Sequence, residues 1–109
     1  MLQDFKKNSP VHERPIVTTA KIMYYIGADN KTGEVNKQAI IDCLDRHFDG
    51  YNLFDALGRW QGTNEKCINI MAYANIDVST AQGIAQELRQ SCSQDSILME
   101  YNNQPFFVE

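Results

Sequence analysis

The sequence is poor in the features that usually announce a chemistry. It has two histidines and three cysteines, Cys43, Cys67 and Cys92, set far apart. An odd, scattered set of thiols excludes a disulfide framework and points to reduced cysteines in a cytoplasmic setting. Positive charge is also scarce. Ten Lys and Arg stand against fourteen Asp and Glu, for a formal net charge of −4, and only Lys6 and Lys7 are adjacent. Phosphate binding needs clustered basic side chains, so no nucleic-acid partner is expected. Apolar runs fall far short of a bilayer span, so no membrane partner is expected either. The opening Met1–Lys7 lacks an apolar h-region, and no secretory, transit or lipid signal is expected.

What is present is an ordinary globular composition, 43% hydrophobic and 22% charged over 109 residues, which suits one domain with a two-layer core. Residues 1–15 are polar and contain Pro10 and Pro15; they are read as a flexible N-terminal arm, with the domain over 16–109.

Hydrophobic periodicity divides that domain. A strand is predicted from Ile16 to Ala28, with Ile22, Tyr24 and Ile26 on one face and Met23 and Tyr25 on the other. Asn36 is positioned to cap a helix whose stripe is Ala39, Ile40, Cys43, Leu44, His47 and Phe48, with Gly50 as a left-handed stop. A second strand runs from about Tyr51 to Trp60, a polar loop covers Gln61–Glu65, and a third strand runs from Lys66 to Ala74 as its hairpin partner. Ser79 and Gln82 read as a capping box opening a helix with Ala81, Ile84, Ala85, Leu88 and Cys92 inside, and Gly83 as a point of close helix–sheet approach. Ser96–Tyr101 is the last full strand. Asn102–Pro105 is a turn, and Phe106–Val108 is an apolar end able to form a short extra strand.

The order β-α-β-β-α-β predicts an α+β ferredoxin-like sandwich: a four-stranded antiparallel sheet with two helices on one face. The second face then stays uncovered while carrying aromatics, Met and Leu, which predicts self-association as a homodimer. Three segments carry a resemblance: Tyr24-Tyr25-Ile26-Gly27, Phe54-Asp55-Ala56-Leu57-Gly58-Arg59-Trp60 and Glu65-Lys66-Cys67-Ile68-Asn69-Ile70. The middle one contains a D-A-x-G-x-W strand ahead of a short hairpin. In this the chain resembles small bacterial and phage proteins of unknown function with ferredoxin-like folds. The resemblance covers roughly residues 20–100 and implies the fold and oligomerisation, without any catalytic assignment.

The best ligand-binding candidates flank the hairpin: Trp60 as a stacking surface, Arg59 as an anion anchor, Glu65 across the turn, and Tyr25 on the same sheet. Against these stands the plainer reading that Trp60 closes the core and Arg59 pairs with Glu65 on the surface. Cys43 and His47, four apart on a helix, make half of a metal site, but both fall on the apolar stripe and core packing is the expectation. No metal and no cofactor is therefore expected. Asp42, Asp45 and Asp49 read as a solvated face and a turn. Gly27–Gly33 lacks the order of a phosphate loop. Tyr24, Tyr25, Tyr73 and Tyr101 lack the basic pattern of an RNA-binding sheet.

With no convergent catalytic set, the function expected is a non-enzymatic, oligomeric binding module that takes a small molecule or a protein on its open sheet face. A small dimeric α/β-barrel enzyme of the monooxygenase kind, with Tyr25, Arg59 and Trp60 in the pocket, is the alternative. A nucleotide-sensing regulator is disfavoured by the short connection at Gln61–Glu65.

Overall fold

The computed structural model describes residues 19–109. The expected flexible arm lies outside that range. Seven elements follow in order: β1 (Ala20–Gly27), α1 (Lys37–Asp45), β2 (Asn52–Trp60), β3 (Thr63–Ala74), α2 (Val78–Ser91), β4 (Ile97–Tyr101) and β5 (Gln104–Val108). They form an α+β domain with one antiparallel sheet in the order β2-β3-β1-β4-β5.

The sheet has five strands rather than the expected four. Phe106–Val108 belongs to a full edge strand that pairs along the whole of β4, from Ile97 opposite Val108 to Tyr101 opposite Gln104. Asn102 and Asn103 take positive φ values of 49° and 69° between those partners. Asparagine tolerates that conformation, and two such residues make the tight turn that matches the twist of the flanking strands. The β2–β3 turn is built in the same way by Gln61 (φ 50°) and Gly62 (φ 80°), with Trp60 opposite Thr63. The predicted five-residue loop is thus a two-residue turn, and Thr63, Asn64 and Glu65 are strand residues.

Alternation places Ala20, Ile22, Tyr24 and Ile26 of β1 on one face with Ile68, Ile70 and Ala72 of β3 and Ile97 and Met99 of β4. Both helices cover this face. Ile40, Cys43, Leu44 and nearby Phe48 enter the same core from α1, and Ala81, Ile84, Ala85 and Leu88 enter it from α2. Burying a side chain such as Leu88 or Ile22 contributes about 1.5–3 kcal/mol, so these alternating sets hold the two layers together.

Asn36 caps α1 as expected, accepting the Ala39 N–H at 3.1 Å. The stop differs: α1 ends at Asp45, and Arg46, His47 and Phe48 bond back to the carbonyls of Cys43 and Leu44. Gly50 is not in the left-handed region, because the chain has already left the helix. The cap of α2 is Asp77, whose carboxylate accepts the Thr80 N–H at 2.8 Å, so the helix starts ahead of Ser79. At its far end Ser93 takes φ 55°, and the Gln94 and Ser93 N–H groups bond to the carbonyls of Arg89 and Gln90. That double closure satisfies two terminal carbonyls without a glycine. Gly83 is exposed, with open space where a side chain would stand, so it mediates no close helix–sheet contact.

Candidate functional site

Among the described residues, no element covers the face of the sheet away from the helices. Phe54 and Trp60 from β2, Tyr73 from β3 and Phe107 from β5 all point there by strand alternation, and they are 47%, 70%, 61% and 74% exposed. The expectation that Trp60 closes the core is therefore corrected: it stands next to the hairpin turn, beyond the reach of the helices.

Three of the four sequence candidates share this face. Tyr25 lies two residues before Gly27 on β1, Glu65 lies two residues before Cys67 on β3, and Trp60 follows two residues after Gly58 on β2. The register sets Gly27 opposite Cys67 and Gly58 opposite Glu65. Arg59 is not with them. It alternates onto the side of Leu53 and Asp55 and donates to Asn64 Oδ1 at 2.7 Å. An Arg59–Glu65 pair across the turn is thus corrected, since consecutive side chains of a strand point to opposite faces.

The focus of the bare face is Glu65. A methyl on Gly27 would sit 3.6 Å from Glu65 Oε1 and 3.2 Å from Gln94 Oε1; a methyl on Gly58 would sit 3.4 Å from Glu65 Cγ and 3.7 Å from Cys67 Sγ. Two glycines thus clear the ground beside one carboxylate. Glycine inside a strand weakens it, and a common reason for keeping one is close approach by another group. The Gln94 amide is fixed by donating to the Ala28 carbonyl at 3.0 Å, which turns its oxygen toward Gly27. Two oxygens, one of them charged, therefore border the side-chain-free Cα of Gly27.

Electrostatics agrees with the geometry. Burial pushes the Cys67 thiol above its ordinary pKa, the neighbouring Glu65 carboxylate adds to that, and a hydrogen bond from the Gly58 backbone opposes it. Burial likewise raises the Tyr25 hydroxyl, with the Glu100 carboxylate adding to it. Cys67 is therefore a neutral thiol at neutral pH, and the available charge here is negative. The sequence reading missed Gln94, Cys67 and both glycines. The in-strand Gly58, two residues before Trp60, was the legible signal.

On the helix side of the hairpin, Glu34, Lys37, Asp55 and Lys66 line a groove of about 350 Å³. Its charges are already matched, Lys66 with Glu34 at 2.7 Å and Lys37 with Asp55 at 3.4 Å. Between the helices, Cys43, His47 and Glu87 lie with donor atoms within 4.8 Å of one another. Cys43 is buried as expected, whereas His47 is exposed at the exit of α1 rather than on the apolar stripe.

No helix among the described residues is long and apolar enough to cross a membrane. No protein-family profile matches the chain. No curated protein matches it in sequence. Solved structures do share its fold. A phage SAM lyase in complex with S-methyl-5′-thioadenosine matches with a TM-score of 0.58 at 12% identity, covering 84% of this chain and 89% of that one. The phage SAM lyase in its apo state gives 0.54 at 12% identity, over 87% and 93%. A DUF3240 family protein from Shewanella baltica OS155 gives 0.53 at 14% identity, over 77% and 87%. The expected ties to phage and bacterial proteins, one of them of an uncharacterised family, thus hold at the level of fold. The expectation of a non-enzymatic binding module is corrected by the same comparison, which leans toward the enzyme side of the two readings. Proteins built on this architecture over most of their length include a lyase, so a bare sheet face without a recognisable catalytic motif is no sign of a non-catalytic module.

Proposed function

We propose that this protein is an enzyme that cleaves S-adenosylmethionine, or a closely related sulfonium, at Glu65 on the open sheet face. The observation that carries this reading is that Glu65 Oε1 and Gln94 Oε1 both border Gly27, whose missing side chain leaves them open to a group approaching from the sheet face. A carboxylate and a fixed amide oxygen form a receptor for a compact cation. S-adenosylmethionine carries two, a sulfonium and an α-ammonium. The likeness in fold to a phage SAM lyase bound to S-methyl-5′-thioadenosine supports this choice of cation.

S-methyl-5′-thioadenosine is S-adenosylmethionine without its four-carbon amino-acid arm. Forming it breaks the bond between sulfur and the γ-carbon of that arm, and the bonding pair moves onto sulfur, discharging the sulfonium. The arm balances itself by closing onto its own carboxylate, whose oxygen forms the new bond to the γ-carbon as the carbon–sulfur bond breaks, so that no proton is released. In this reading Glu65 holds the arm's ammonium, Gln94 Oε1 faces the same charge, and Tyr25 flanks them on β1. Trp60 offers an exposed indole plane to the adenine. Arg59, on the other face, takes no part.

A second copy of the chain completes the site. Glu65 and Trp60 are exposed in one chain, and the aromatic patch of Phe54, Tyr73 and Phe107 shares their face. Apposing a copy there buries the patch and excludes water from the cation site. We read the domain as a ferredoxin-like core with β5 added at one edge, working in the cytoplasm, where its free thiols Cys43, Cys67 and Cys92 stay reduced.

The test is incubation of the purified protein with S-adenosylmethionine and detection of S-methyl-5′-thioadenosine by mass spectrometry, alongside sedimentation analysis. Product formation above the uncatalysed background is expected, and Glu65→Gln lowers the rate by roughly 100-fold or more with the fold intact. Absence of both product and calorimetric binding overturns the substrate assignment. A strict monomer at high micromolar concentration overturns the shared site.

A further inference from the structure

A second constellation, unrelated to the open sheet face, lies where α1 meets α2. Cys43 and His47 are four residues apart, one on the last turn of α1 and one just past it. Glu87 faces them from the middle of α2. The thiol sulfur, an imidazole nitrogen and a carboxylate oxygen all lie within 4.8 Å of one another. His47 Nε2 is already 2.5 Å from Glu87 Oε2.

We propose that Cys43, His47 and Glu87 together hold a divalent ion of the zinc class, with water as the fourth ligand. The donor set is the first reason. Thiolate, imidazole and carboxylate are the three side-chain ligands zinc accepts, at about 2.3, 2.0–2.1 and 2.0–2.2 Å. Bonds of that length set the donor atoms of a tetrahedral site roughly 3–4 Å apart, and here they already lie within 4.8 Å of one another.

Access is the second reason. Cys43 is buried and closes the inner side, while the His47 side chain is 30% exposed and opens the outer side to solvent. Three protein ligands with one solvent-facing position is the arrangement of zinc sites that keep a water.

The surroundings are the third. Glu87 offers Oε2 to His47 and uses Oε1 to accept from Arg46 at 3.2 Å, and Arg46 is itself anchored on the Asp42 carbonyl at 3.0 Å. Arg46 thus orients the carboxylate from outside the site, as outer partners of metal ligands commonly do. The ion would tie the exit of α1 to α2.

The test is titration of the full chain with Co(II) and then Zn(II), followed by absorption spectroscopy and thermal unfolding. One ion per chain is expected, with the visible spectrum of a tetrahedral cobalt site and a sulfur-to-cobalt charge-transfer band. Zn(II) displaces cobalt and raises the unfolding temperature. Cys43→Ser removes the charge-transfer band, and Cys67→Ser leaves it. Outer-shell changes alone weaken metal affinity by about 10–100-fold, so His47→Asn and Glu87→Gln, which remove direct ligands, should each weaken binding by at least about tenfold. Because Cys43 is buried and its replacement can disturb folding, these two variants carry the decision. Absence of the sulfur-to-cobalt band, its survival in Cys43→Ser, or unchanged affinity in both His47→Asn and Glu87→Gln overturns the proposal.

Discussion

Glu65 and Gly58 face each other directly across the β2–β3 ladder, and the space a side chain on Gly58 would fill is bounded by Glu65 Cγ at 3.4 Å. Its cross-strand partner therefore sets no side chain against the carboxylate. Gly58→Ala adds an ordinary contact and is tolerated. Gly58→Val pushes on Glu65 and on Cys67 Sγ while keeping good strand propensity. Displacing a reacting or binding group by about 1 Å costs roughly 100-fold in rate. Gly58→Val is therefore expected to retain its circular dichroism spectrum and lose the proposed S-adenosylmethionine cleavage on that scale. A fully active Gly58→Val enzyme would move the site away from Glu65.

Gly83 provides the opposite case. It lies within α2, is exposed, and has nothing within 4 Å of the place a methyl group would occupy. Gly83→Ala should stabilise the protein by about 0.5–1 kcal/mol, because alanine loses less backbone entropy on entering a helix. Urea denaturation at neutral pH measures this as a higher midpoint at unchanged slope. A lower midpoint would mean that the glycine serves a contact absent from the single chain.

Tyr24 ties the layers together. Its buried hydroxyl donates to the Ala81 carbonyl at 2.8 Å, linking the middle of β1 to the first turn of α2. Burial, and then the nearby Cys43, hold its pKa well above the usual tyrosine value, so the hydroxyl stays protonated and able to donate. Tyr24→Phe keeps the ring and removes one hydrogen bond, at a cost of about 1 kcal/mol. Chemical denaturation should show that loss with no change in sheet content.

Alkaline pH should weaken the protein through Tyr51. Burial first, and then its 2.7 Å hydrogen bond to Asp45, raise this hydroxyl from 10.0 to about 12 in the folded state. The fold thus prefers neutral Tyr51, and the associated stabilisation is fully present below pH 10 and disappears as pH rises from 10 to about 12. The stability difference between wild type and Tyr51→Phe should shrink across that window. A difference that stays constant there would show that Tyr51 titrates normally.

The strands and helices were legible wherever one face is buried. Alternation in Ile22-Met23-Tyr24-Tyr25-Ile26 assigned the correct inner residues, because every second position meets the helices. The helical stripes were legible for the same reason. Their ends were not, because caps are chosen by local competition: Asp77 outcompeted Ser79, and Ser93 closed α2 where a glycine is the usual expectation. The fifth strand was only half visible, since Pro105 and a pair of asparagines read as a loop until β4 offers them a pairing edge.

The sequence by itself determined the layered architecture, the inner face of each strand and the nomination of Tyr25, Trp60 and Glu65, because periodicity is a local property of the chain. Only the tertiary structure decided that Arg59 faces away from them and that Gln94 joins Glu65 beside Gly27. It alone decided that Glu87 completes a triad with Cys43 and His47. Those relationships join residues brought close by strand register and helix packing, and separation along the chain carries no trace of them.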